Sequence, residues 1–290
     1  MKFIKIKKDK FISIDFQDKN KELTKITQNK YNIFNIQLSN FIKLLYSENI
    51  KNDKLFTNMK SPFIVGINGS VSSGKSYFAE ELYNILRKTN NNLKIGFIST
   101  DNFLHSNKIL TNKNIFDKKG FTESYNWKLL FKILKQIKQN KSIEFPYYSQ
   151  DLSDIHPTKK LKLKSNLDIL IIEGINILKP TCIFQTQNLC ENILLSDYID
   201  FSIYIQTSEK NLKDWFHKRL LKKKTLWKKN KIKQDLTKKN KKEFKHFSND
   251  IWNKYNKPNL INNINPFRYR SDIIIHKKHN HDIDYLELKI

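Results

Sequence analysis

Past residue 60 the apolar positions of the chain fall into two alternating rhythms. Short, mainly apolar runs recur at Phe63-Ile64-Val65-Gly66-Ile67, Lys94 to Thr100, Leu167 to Gly174 and Ile199 to Ile205. Runs of this length and composition suit strands buried on both faces, as in a parallel sheet. Between them the spacing changes to that of helices. One pattern runs from Lys75 towards Arg87, and a second covers Glu123 to Asn140 through Trp127, Leu130, Phe131, Leu134 and Ile137. A long basic helix follows over Lys210 to Lys229, then another over Lys241 to Tyr255, before late strands at Ile273 to Ile275 and Tyr285 to Ile290. Strands alternating with helices predict an α/β fold, a parallel sheet with helices on both faces joined by right-handed crossovers.

The first 60 residues read differently. A polar, Lys-rich start leads into helical spacing through Ile36, Leu38, Phe41, Ile42, Leu44 and Leu45. Residues 1–60 are therefore expected to form an accessory helical segment packed on a single core domain over 61–290. No internal repeat is present.

Composition changes this picture little. The formal charge is +26, from 54 Lys and Arg against 28 Asp and Glu, in a chain with only 6 Gly and 6 Pro. Such an excess suggests a polyanionic partner when it gathers in one stripe. Here it is spread through a chain rich in Lys, Asn and Ile, and reads as compositional drift. The densest run, Lys222 to Lys224 with Lys228, Lys229, Lys231 and Lys233, is read as a solvated helix face in preference to a nucleic-acid site. Cys182 and Cys190 match no disulfide framework or zinc spacing and are read as reduced thiols. There is no apolar leader after Met1, and no stretch reaches the roughly 18 apolar residues of a membrane span. A cytoplasmic protein without membrane attachment is expected.

The chemistry begins between the first core strand and its helix. Gly69-Ser70-Val71-Ser72-Ser73-Gly74-Lys75-Ser76 fits G-x-x-x-x-G-K-[ST] in the strand-to-helix setting that this phosphate-binding loop requires. The fold class is thus a P-loop NTPase-type sheet. Backbone N–H groups would cradle the phosphates of ATP, Lys75 would offset the β/γ charge, and the Ser76 hydroxyl would reach Mg²⁺. Asp101 falls at the carboxyl end of the next strand, on the same crevice, where a carboxylate can accept the proton of an attacking hydroxyl. An Asp there can equally cap a turn. Glu173 ends its own strand and suits Mg²⁺ or a turn cap, while Arg219 is a cation able to stabilise a transferring phosphoryl group.

Several further segments carry a resemblance: Thr100 to His105, Lys118 to Tyr125, Tyr147-Tyr148-Ser149, Ile171 to Leu178 and Ser196 to Tyr204. Together with the loop, and with Trp252, Asn256, Asn259-Leu260, Asn263-Ile264, Pro266 and Arg268, they resemble type I bacterial pantothenate kinase over about residues 62–280. The resemblance implies phosphorylation of pantothenate by ATP to 4′-phosphopantothenate, the first step of coenzyme A biosynthesis, in a fold similar to uridine kinases and phosphoribulokinases. It implies Asp101 as catalytic base. It also implies Tyr148, Arg219 and Asn256 as contacts to pantothenate or the phosphoryl group, Lys119 as a further substrate contact, and Lys277 and His281 near the adenine. A homodimer is implied as well.

Some positions depart from the family pattern. Gln150 stands in place of a His and Phe216 in place of a Tyr among the acceptor-binding positions. Asn102 replaces a Gly, Glu80 an Arg, and Leu220 and Lys223 phenylalanines. The phosphoryl-transfer set of Lys75, Ser76, Asp101 and Arg219 is kept. The altered Glu80 and Gln150 positions belong to contacts of coenzyme A, a competing feedback inhibitor in the family, so weakened inhibition is expected. The rival readings are a uridine or sugar-phosphate kinase of the same superfamily and, from the charge alone, a nucleic-acid-dependent NTPase.

Overall fold

The computed structural model describes residues 2–16, 32–56, 61–89, 92–180, 184–186, 189–191, 194–229 and 234–290. Cys182, Lys231, Lys233 and the Cys190 side chain lie outside them, so the thiol reading and part of the basic run are not addressed.

In chain order the strands are β1 (Phe3–Lys7), β2 (Phe63–Gly69), β3 (Ile95–Ser99), β4 (Ile143–Ser149), β5 (Asp154–Leu163), β6 (Ile169–Gly174), β7 (Phe184–Thr186), β8 (Leu189–Glu191), β9 (Phe201–Gln206), β10 (Ile273–Lys277) and β11 (Ile283–Lys289). The helices are α1 (Lys8–Ile12), α2 (Ile33–Phe56), α3 (Lys75–Thr89), α4 (Asn107–Asn112), α5 (Trp127–Lys138), α6 (Glu209–Lys229), α7 (Gln234–Lys238) and α8 (Lys241–Ile251). A seven-stranded sheet runs β1-β11-β10-β9-β2-β6-β3. Strands β10, β9, β2, β6 and β3 are mutually parallel, whereas β11 and β1 add antiparallel at one edge.

Because strand side chains alternate between faces, each apolar run divides between two cores. Ile64, Ile98, Leu170, Ile172 and Ile274 face one core, with Leu130 and Leu134 of α5 and Trp215 and Phe216 of α6. Val65, Ile67, Ile169, Ile171 and Ile203 face the other, with Phe34, Leu38 and Ile42 of α2 and Phe78 and Leu82 of α3. Both faces are therefore covered. No helix among the described residues is long and apolar enough to cross a membrane.

The parallel strands are registered at their amino ends by three aspartates, each standing just before a strand. Asp168 accepts the Lys94 N–H at 2.7 Å, Asp200 the Ile64 N–H at 2.6 Å, and Asp272 the Ser202 N–H at 2.8 Å. Each carboxylate thereby locks its own strand to the start of the parallel neighbour. Asp168 does more: it is 4% exposed, and its other oxygen accepts the Tyr46 hydroxyl of α2 at 2.6 Å. The accessory helix is thus bolted to the sheet.

Four local features differ from the sequence expectation. The Lys-rich start contains a strand, β1, which pairs along β11 from Phe3↔Lys289 to Lys7↔Tyr285. Its Phe3 and Ile6 are half-buried against the two cores, while Ile4, Lys5 and Lys7 are exposed at the edge. The helix expected from Glu123 begins at Trp127, because the Asn126 side chain accepts the Leu129 N–H at 3.1 Å and caps it there. Beyond α8 the chain continues through π-type turns, Trp252–Asn256 and Leu260–Ile264, and the hairpin β4–β5 had no counterpart in the pattern.

Removing the Tyr46 hydroxyl leaves a buried carboxylate short of one donor. Tyr46→Phe should lower unfolding free energy by roughly 1.5–3 kcal/mol, the range for hydrogen bonds to charged groups. Urea denaturation of the two proteins would measure this, and coincident midpoints would refute the bolt.

Candidate active site

The parallel strands β2, β3 and β6 all end at one edge, and the loops leaving that edge build the site. After β2 the chain turns tightly through Ser72 (φ 65°) and Gly74 (φ 82°) into the first turn of α3. Gly74 is suited by its conformation, since φ 82° is one that L side chains rarely adopt. The Ser70, Ser72 and Ser73 hydroxyls are buried in this loop without hydrogen-bond partners. A loop that exposes N–H groups and holds unpartnered hydroxyls is chemically matched to phosphate oxygens.

Glu173, 3% exposed, is the hub of the site. Register places it opposite Ser99 of β3 and Ile67 of β2. Its Oε1 accepts the Ser99 hydroxyl at 2.5 Å, its Oε2 accepts the Ser76 hydroxyl at 3.2 Å, and Lys75 Nζ stands 3.9 Å away. Burial raises the Glu173 pKa, Lys75 opposes that rise, and the Asp101 charge adds to it. The adjoining Gly174 is obligatory for a second reason: a Cβ would sit 2.0 Å from the Thr100 hydroxyl. This close approach brings the Asp101 turn against the end of β6.

Asp101 lies in a single 3₁₀ turn, Thr100–Phe103, directly after β3, and its N–H donates to Ser99 Oγ at 3.3 Å. The next residue, Asn102, accepts the Tyr148 N–H at 2.9 Å and so ties β4 to this turn. Burial and the Asp101 charge raise the Tyr148 phenol pKa, with Arg219 opposing. Arg219 in turn donates from Nη2 to Gln150 Oε1 at 3.4 Å. Lys119 Nζ lies 5.3 Å from the Tyr148 ring centroid and donates to Asn107 Oδ1 at 2.7 Å and to the Ser153 carbonyl.

Across the loop, Lys277 Nζ donates to the Ser73 carbonyl at 3.4 Å, and burial lowers its pKa. His281 stacks on Trp215 with centroids 3.9 Å apart and planes inclined by 24°. Burial lowers the His281 pKa, and the positive charges of Lys277 and Lys218 push in the same direction. A cleft of about 730 Å³ is lined by Gly74, Lys75, Ser76, Gln150, Arg219 and His281 among others. Asp101, Lys119, Tyr148, Glu173, Phe216, Asn256 and Lys277 are not part of that lining. Phe216 is buried against Trp252 at 5.9 Å, and Asn256 holds a buried, unpartnered Nδ2 in the first π-type turn.

Three contributors escaped the sequence reading. Ser99 supports Glu173 through a hydroxyl that no pattern marks, Thr100 packs against Gly174 with its own hydroxyl buried and unpartnered, and Trp215, one position before Phe216, is indistinguishable by spacing from a core aromatic. No group of three or more His, Cys, Asp or Glu among the described residues is arranged to hold a metal. The oxygen donors present, the Ser76 hydroxyl and the Glu173 carboxylate, are hard and few. Such a set fits Mg²⁺, which keeps much of its coordination on waters and substrate phosphates.

Comparison with known proteins agrees with this geometry. The model of the Phosphoribulokinase / Uridine kinase family matches residues 64–284. A pantothenate kinase of Streptococcus gordonii is 34% identical over 245 residues, covering 80% of this chain and 74% of its own. One of Streptococcus thermophilus is 38% identical over 230 residues, covering 79% and 72%. Among solved structures, D-glycerate 3-kinase from Cryptococcus neoformans superposes with a TM-score of 0.58 at 16% identity, over 87% of this chain and 99% of that one, and shows the shared fold. The P-loop, the buried acid behind it and these relatives lead to one conclusion: the chain belongs to the phosphoribulokinase and uridine kinase family, among its pantothenate kinases.

Proposed function

We propose that this protein transfers the γ-phosphoryl group of ATP to the primary hydroxyl of pantothenate, giving 4′-phosphopantothenate and ADP, with Asp101 as general base. The observation that carries this reading is the joining of Asp101 to the phosphate loop through Ser99 and Glu173. A base held at that crevice can take the proton of a hydroxyl as it attacks a phosphate bound by the loop.

In this reading the backbone of Gly69 to Ser76 cradles the triphosphate, and Lys75 and Arg219 stabilise the phosphoryl group in flight. As the acceptor oxygen bonds to the γ-phosphorus and the bridge to the β-phosphate breaks, Asp101 takes up the hydroxyl proton. Ser76 and Glu173 would hold Mg²⁺, which when bound offsets charge on the β- and γ-phosphoryl oxygens. The adenine lies by Lys277 and His281, where the stacked Trp215 supplies an aromatic floor. Tyr148, Lys119 and Asn256 hold pantothenate, with Gln150 and Phe216 nearby. The enzyme is assigned to the cytoplasm as a homodimer.

Regulation follows from two residues of the cleft. Glu80 places a negative charge at its mouth, and Gln150, uncharged, is engaged by Arg219. Neither favours the anionic groups of coenzyme A, which is therefore a weak competitor of ATP.

ATP consumption measured with pantothenate, uridine and ribulose 5-phosphate tests the substrate, and turnover should appear with pantothenate alone. Asp101→Ala should lower kcat by roughly 10²- to 10⁴-fold, the span of general-base contributions, with the KM for ATP nearly unchanged. A variant with the parent kcat would break the mechanism. Titrating coenzyme A at fixed ATP should leave most activity in place, and strong competitive inhibition would sink the regulatory reading.

A further inference from the structure

Just beyond β6, Asn176 is 2% exposed and only half used. Its Nδ2 donates to the Gly120 carbonyl at 3.3 Å, while its Oδ1 is buried without a hydrogen-bond partner. The same Gly120 carbonyl receives the Asn259 Nδ2, also at 3.3 Å. Asn256 lies one helical turn before Asn259 and carries the complementary defect, a buried Nδ2 with no acceptor. The orphan acceptor thus belongs to a side chain bonded to the Lys119-Gly120 segment, whose lysine lies over Tyr148, and the orphan donor stands three residues before the asparagine that shares the same carbonyl.

An asparagine retained only as a strut for Gly120 would not need its oxygen buried and unpaired, which costs free energy. The strut is moreover duplicated by Asn259. Nor does the pair suit an anion, because half of it is an acceptor. A neutral, planar group presenting one N–H and one C=O satisfies both atoms together.

We infer that Asn176 is a specificity-determining residue that reads a secondary amide in the acceptor, its Oδ1 accepting the amide N–H while Asn256 Nδ2 donates to the amide carbonyl. The inference rests on the reading of pantothenate as acceptor, whose one amide links its hydroxylated and carboxylated halves. The site then demands an amide-containing alcohol. An acceptor without the N–H leaves Asn176 Oδ1 unpaired in the complex.

The test compares pantothenate with its ester analogue, in which oxygen replaces the amide N–H, on the native enzyme and on Asn176→Leu and Asn176→Asp. The native enzyme should prefer the amide by roughly 5- to 150-fold in kcat/KM, the range for leaving a buried acceptor unsatisfied. Asn176→Leu, similar in size and without an acceptor, should lose most of that preference while keeping its KM for ATP. Asn176→Asp keeps an acceptor oxygen and should retain the preference. Equal use of both acceptors by the native enzyme overturns the inference without any variant. A preference that survives intact in Asn176→Leu overturns it as well, leaving Asn176 a strut. Failure of the native enzyme to phosphorylate pantothenate would remove the underlying substrate reading instead, and is recognised by the missing signal of the parent reaction.

Discussion

A carboxylate as deeply buried as Glu173 survives only if its charge is answered, and that requirement organises the rest of the site. Removing such a group from water costs several kcal/mol unless hydrogen bonds and a counter-charge compensate. The compensation comes from three directions: Ser99 on β3, Ser76 at the start of α3, and Lys75 beside it. Each partner is held by a different element, so satisfying Glu173 fixes β3, β6 and the phosphate loop relative to one another. The far end of the sheet makes this possible. Asp168, Asp200 and Asp272 set the parallel register at the amino ends, and a slip of one residue would turn Glu173 away from Ser99.

The two acids then divide by environment. Glu173 is enclosed and committed to hydroxyls and Lys75. Asp101 stands on a 3₁₀ turn at the crevice, and its charge is felt by Glu173, Tyr125 and Tyr148. Two carboxylates whose surroundings differ this much are suited to different tasks. Asn102 extends the arrangement outward. By accepting the Tyr148 N–H it couples the Asp101 turn to the hairpin that carries Tyr148 and, just beyond β4, Gln150.

The core of this arrangement was legible because its signals are strong and local. The mainly apolar runs at β2, β3, β6 and β9 suit strands buried on both faces of a covered parallel sheet, and the phosphate loop allows few residue types. What stayed hidden lacks either property. β1 is only five residues long, and its brief alternation is lost in the Lys-rich start. β5 carries exposed Lys159, Lys160 and Lys162 and is specified by its pairing with β4 rather than by hydrophobicity. Ser99 and Trp215 act through geometry that periodicity does not encode. For Glu173 the sequence left open a turn cap or a site acid. Its oxygens take side-chain hydroxyls and face Lys75, with no backbone N–H bonded to them, which favours the site.

The large positive charge takes on a different meaning once the cleft is described. Spread along the sequence, it reads as drift. At the cleft, Lys75, Lys218, Arg219, Lys222 and Lys223 converge against one lining carboxylate, Glu80. Lys218 and Lys222, like Arg219 and Lys223, are four apart on α6, a spacing at which like charges repel along a helix. The arrangement concentrates positive potential where a triphosphate enters, and raises the encounter rate of anions in a salt-dependent way. It does so without discriminating among them. Selectivity must come from groups other than these cations, since a field that draws every anion cannot tell one from another.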